Sequence, residues 1–133
     1  MNGYLKGYRL FAWIGILENL SFAASAFCYP ALLIQQVAGG RAEMIQGPWL
    51  FNTAMLLLLG AAFYLPAAQD PTRDPLYSRL TGWARVFASV SWIVYLLTAG
   101  AGLPSGFWTF PLADGLLGIM LLALLRLGLP RRV

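Results

Sequence analysis

Glu18 is the carboxylate set most deeply among apolar residues in this 133-residue chain, which makes it the first candidate for chemistry. It lies about 13 Å beyond Arg9 along a helix, near the middle of a bilayer crossing. An ionised carboxylate at that depth is costly unless it is paired, protonated or facing water. Ser21 and Ser25 follow at i+3 and i+7, which predicts an inward polar stripe shared with Glu18. Asn19, beside it, is expected to hydrogen-bond across helices. Arg85 is the natural partner. It lies roughly two turns beyond Arg79 on a later apolar helix that enters from the same side, and its side chain can reach the level of Glu18 or snorkel to the headgroups. A Glu18–Arg85 ion pair fixing the first long helix to the third is the leading expectation. Two others stand beside it: an Arg85 that snorkels next to a protonated Glu18, and a titrating Glu18 that couples transport to protons.

Asp114 is the second embedded acid. It falls in the expected first turn of the last helix, where the helix dipole favours a carboxylate and the outer interface supplies water. Asn52, Asp114 and Trp108 are the candidate ligand contacts. Gly115 and Gly118, and Ala84 with Ala88, read as packing positions, since small residues let helices approach closely.

Other chemistry is limited by what the chain lacks. It has no histidine, which excludes histidine-ligated haem or chlorophyll and a histidine proton relay. One cysteine and five acidic residues make a thiolate or di-metal site a poor expectation, and no glycine-rich phosphate cradle is present. No catalytic residue and no metal ligand is assigned, and no cofactor is expected on the chain's own ligands; lipid, quinone or pigment would be met only at the surface. Cys28 reads as a small buried thiol. The apolar run ahead of it imitates an export signal, but Phe27 and Glu18 depart from lipoprotein processing, so the segment is expected to be retained.

The elements that must position these residues are four apolar runs, residues 10–29, 49–68, 83–103 and 111–129. Each is about the length needed to cross a hydrocarbon core about 30 Å thick. They lack the alternation of barrel strands, so the expected fold is all-α: one integral-membrane four-helix bundle, residues 1–133, with no soluble catalytic domain. Hydrophobic residues make up 59% of the chain and charged residues 11%, well below the roughly 25% charged of soluble domains. Pro30 is expected to kink or end the first helix, 31–37 to form a short interfacial helix stopped by Gly39-Gly40, and Thr109 to cap the last helix. The segment 69–75 is a proline-punctuated turn. Tyr29, Trp49, Phe107 and Trp108 read as interfacial anchors on the outer side. No internal repeat is visible.

The net charge of +4 is distributed unevenly. Eight of nine basic residues fall on one set of connections and ends, with only Arg41 opposite. By the positive-inside rule that side, with both termini, is cytoplasmic. It is expected to attract anionic lipids. The arginines are dispersed along membrane edges, which argues against nucleic-acid binding.

Two stretches, residues 63–71 (FYLPAAQDP) and 113–118 (ADGLLG), with Arg85 between them, resemble a set of small uncharacterised bacterial four-span membrane proteins that is loosely similar to the DoxX-like membrane proteins. The resemblance implies a four-helix bundle of the bacterial inner membrane, working beside a redox enzyme and near quinone. It carries over no catalytic residue. Size and span count are similar to small multidrug-resistance transporters, but the aromatic-rich spans of that family are not recognisable here. The expectation is an accessory subunit of a larger respiratory or photosynthetic hetero-oligomeric complex, acting by packing and by shaping lipid or quinone access. A proton-coupled small-solute transporter using Glu18 and a DoxX-like, quinone-associated redox partner are the alternatives.

Overall fold

A computed structural model describes residues 2–41, 47–98 and 102–129. They form helices α1 (Gly3–Cys28), α2 (Pro30–Ala38), α3 (Gly47–Gln69), α4 (Pro75–Thr98) and α5 (Thr109–Gly128), with a 3₁₀ turn at Ser105–Trp108 before α5. Among the described residues there is no strand. α1, α3, α4 and the run Ser105–Gly128 are each long and apolar enough to cross a membrane.

Helix ends follow local chemistry. The Asn2 side chain caps α1 by accepting from Leu5 N–H at 3.0 Å, and Asp74 does the same for α4 through Tyr77 N–H at 3.0 Å. The Asp74 cap lets α4 begin at Pro75, ahead of the apolar run at 83, and the helix is described as far as Thr98. Pro30 marks the end of α1, which stops at Cys28. It opens α2, at the first-turn position where the missing amide costs nothing. Gly39 ends α2 with φ 58°, a left-handed value favouring glycine. α3 continues through Pro66 to Gln69. Thr109 does not cap α5 through an N–H; its hydroxyl donates to Gly106 O at 2.6 Å.

α1 packs against α3 on one flank and α5 on the other, and α4 packs against α5; α3 and α4 touch far less. The chain thus makes a ring in the order α3, α1, α5, α4, with its thinnest seam between α3 and α4. One end gathers the start of α1, the end of α3, the start of α4 and the end of α5. Asn2 Nδ2 donates to Gly128 O at 2.8 Å, Arg9 Nε to Ala68 O at 3.1 Å, and Tyr8 OH to Ser78 O at 2.9 Å. Lys6, Arg9, Arg73, Arg79 and Arg126 belong to this end, while Arg41 donates to Gly102 O at the other.

Two apolar clusters fill the interior. One, toward the basic end, is built on Tyr8, Ala12, Ile16, Ala61, Leu121 and Leu125. The other is built on Ala23, Leu33, Val37, Ala54, Leu96 and Phe107. Phe107 is buried in that second core, where Trp92, Phe110 and Phe22 make edge and stacked ring contacts, so it is not an interfacial anchor. The turn carrying it rests directly on α2. A Cβ on Gly106 would lie 2.6 Å from Val37 O, so only glycine fits there. Cys28 is exposed rather than buried.

Candidate functional site: an arginine between two carboxylates

A polar layer separates the two apolar clusters, and Arg85 is its centre. At 2% exposure, Arg85 heads the largest fully buried side chains. Helix geometry sets the depth. Measured from the basic end, Arg85 lies roughly 15 Å along α4, Glu18 roughly 22 Å along α1 and Asp114 roughly 21 Å along α5. Arg85 extends to close the remaining distance.

Its Nη1 donates to Glu18 Oε2 at 3.1 Å and to Asp114 Oδ1 at 2.5 Å. Nη2 donates to the Gly15 carbonyl at 2.8 Å. The Tyr64 ring of α3 lies with its centroid 4.8 Å from Cζ, a cation–π contact. All four long helices therefore meet at one guanidinium. Gly15 makes this possible, because a Cβ there would stand 2.8 Å from Arg85 Cζ. Close by, Ser89 is one turn further along α4. Its hydroxyl donates to Pro111 O at 2.7 Å, joining α4 to the start of α5.

Asp114 departs from the helix-start role. α5 begins at Thr109, so Asp114 lies in its second turn, beyond the reach of the terminal dipole, and its carboxylate is held by Arg85 instead. The inward stripe of Ser21 and Ser25 is also corrected. The buried face of α1 runs through Tyr8, Ala12, Asn19, Ala23 and Ala26. Glu18 sits about 100° around the helix from Asn19, so a stripe centred on Glu18 drifts outward. Ser21 is exposed, and Ser25 Oγ donates to the Ser21 carbonyl of its own helix at 2.8 Å. Asn19 lies on the centre line of α1, 8% exposed, and its amide nitrogen packs against Gly60 of α3.

Asn52 and Trp108 do not join the cluster. Asn52 is exposed in the first turns of α3, and Trp108 is 39% exposed in the 3₁₀ turn. Gly118, by contrast, is a packing residue, since a Cβ would meet Gly82 O and Val86 N at 2.9 Å. The Gly15 carbonyl and the Tyr64 ring are members that sequence reasoning missed. Gly15 lies one turn before Glu18, a usable signal; Tyr64 offers none.

Two carboxylates and one guanidinium have a definite charge balance. With one proton shared by the acids the cluster is neutral; without it the cluster carries one negative charge. Both acids keep partial access to the surroundings, with side-chain exposures of 39% for Glu18 and 26% for Asp114. Among the described residues no group of three His, Cys, Asp or Glu side chains could hold a metal ion. The arrangement is suited to fastening helices and to holding one proton. No family model matches the chain, and no curated protein or solved structure is detectably similar to it.

Proposed function

We propose that this chain is a multi-pass subunit of the bacterial inner membrane, with four crossings and both termini on the cytoplasmic side. Its role is to pack beside other membrane proteins of a respiratory or photosynthetic assembly and to shape lipid or quinone access there. The single observation that carries this reading is the Arg85 cluster. A guanidinium is costly at bilayer depth, and here it is held by both acids, a carbonyl and an aromatic ring, so it acts as an internal fastener. The remaining outer surface is apolar on every long helix, with Leu17, Leu59, Phe87 and Leu112 all widely exposed. That surface suits lipid and neighbouring helices rather than a soluble substrate. The asymmetry of the basic residues supports this orientation.

Blue-native separation of membranes from cells with and without the chain tests the reading. A specific larger assembly should lose mass or stability on deletion, with its redox centres intact. Unchanged assemblies would overturn it.

The second carboxylate favours one further reading, a proton-coupled carrier, because a purely structural arginine needs only one counter-charge. Glu18→Gln separates the two. It abolishes transport in a carrier, whereas in a subunit it loosens helix packing and leaves association with partners in place.

A further inference from the structure

A groove of about 1260 Å³ runs between α4 and α5 toward the basic end of the bundle. Its α4 wall carries Arg79, Trp83 and Val86 at i, i+4 and i+7, and its α5 wall carries Ile119, Leu122 and Arg126 at i, i+3 and i+7. Each wall is thus one helical stripe. α4 starts and α5 finishes at the same end, so both stripes close with an arginine there. The apolar part continues toward the bundle centre for about 10 Å between Arg79 and Val86.

The groove has a packing cause. Gly82 and Gly118 bring the two backbones together, with a Cβ on Gly118 only 2.9 Å from Gly82 O. Larger side chains beside this contact are forced outward and leave a furrow between them. Trp83 is 58% exposed along it. Arg79 and Arg126 are exposed, and among the described residues neither lies within 4.0 Å of a carboxylate. Asp74 borders the same end, but its Oδ1 accepts the Tyr77 N–H as the cap of α4.

We propose that this groove is a binding site for one anionic glycerophospholipid, with its phosphate held between Arg79 and Arg126 and an acyl chain lying along Trp83, Val86, Ile119 and Leu122. The inference rests on the membrane reading above and adds a located lipid to it. A guanidinium presents paired N–H donors that match phosphate oxygens. Two such groups at the end of an apolar furrow complement a ligand with a negative head and a hydrocarbon tail. A zwitterionic lipid brings its own cation to the same place and is disfavoured.

The full chain, purified in a mild non-ionic detergent, is titrated with phosphatidylglycerol and with phosphatidylcholine of matched acyl chains, read by native mass spectrometry. The expected result is one retained phosphatidylglycerol per chain. Affinity falls roughly thirtyfold in Arg79→Gln/Arg126→Gln and is unchanged in Arg73→Gln, which removes an arginine of the same end outside the groove. Brominated phosphatidylglycerol should quench wild-type fluorescence and lose that component in Trp83→Phe. Equal retention of the two lipids, or an equal loss in Arg73→Gln, overturns the site. Full competition by millimolar inorganic phosphate makes the ligand a soluble phosphate and overturns the lipid assignment. A lipid-free dimer gives the groove to a second copy and overturns it as well. A chain that stays in solution without detergent overturns the membrane reading itself, whereas lipid indifference in a membrane-inserted chain overturns only this proposal.

Discussion

Replacing Arg85 by methionine removes the charge and keeps an unbranched apolar side chain in its place. Arg85 donates three hydrogen bonds, two of them to carboxylates. Hydrogen bonds between membrane helices contribute only about 0.6 kcal/mol on average, so their sum alone would be under about 2 kcal/mol. The larger effect is the loss of counter-charge. Glu18 and Asp114 would be left together without a cation, a situation that costs about 3–5 kcal/mol in buried pairs. Partial exposure of both acids relieves some of that, which places the expected loss near the lower end, about 3 kcal/mol. The triple variant Arg85→Met/Glu18→Gln/Asp114→Asn removes the stranded charges with the arginine. It should recover at least half of the loss, since deleting both sides of a buried pair is far less damaging than deleting one. Reversible unfolding of the intact chain by steric trapping in micelles measures each variant. A loss below about 1 kcal/mol for Arg85→Met, or no recovery in the triple variant, would refute the fastener argument.

Gly118→Ala should destabilise by about 1–3 kcal/mol through overpacking, because its Cβ would stand 2.8 Å from Val86 Cγ2 and 2.9 Å from backbone atoms of Gly82 and Val86. Gly3→Ala, whose Cβ meets nothing within 4 Å, is the control and should be neutral in the same unfolding assay. Asp70, in the turn after α3, accepts from the Thr72 hydroxyl at 2.6 Å and the Thr72 amide at 2.9 Å, and these bonds hold its carboxyl below the ordinary carboxylate range. A lowered folded value means the turn's stabilisation is present above that ordinary range and fades as pH falls through the lowered value. The Thr72 amide resonance should follow that titration, and the dependence should vanish in Asp70→Asn. Cys28, the sole cysteine, is exposed at the end of α1 opposite the basic end. A membrane-impermeant maleimide should label it from outside intact cells, and protection there with labelling of inverted vesicles would reverse the proposed orientation.

How much of this is legible in sequence depends on which coordinate of a helix is needed. Existence and depth come from length and hydropathy, so the four long apolar helices are visible, and depth counted from one end is enough to place Arg85 near Glu18. Rotation about the axis is harder. Glu18 is on the flank of α1 and not at the centre of its buried face, so a stripe drawn through it sends Ser21 outward. The role of Asp114 depends on where α5 starts. The helix starts at Thr109, two residues before the expected run at 111, so Asp114 lies in the second turn, where Arg85 and not the helix end holds its carboxylate. The early start of α4 has a local cause in the Asp74 cap after the proline-punctuated turn. Nothing in the stretch around Tyr64 points to Arg85, and only the assembled bundle puts its ring over the guanidinium.

The most direct measurement is isolation of the tagged chain from its native membrane into polymer-bounded lipid discs, with mass spectrometry of whatever accompanies it. The account predicts other integral membrane proteins at fixed stoichiometry, retained in wild type and diminished in Arg85→Met. Recovery of the chain alone, as a stable monomer surrounded only by lipid, would contradict it.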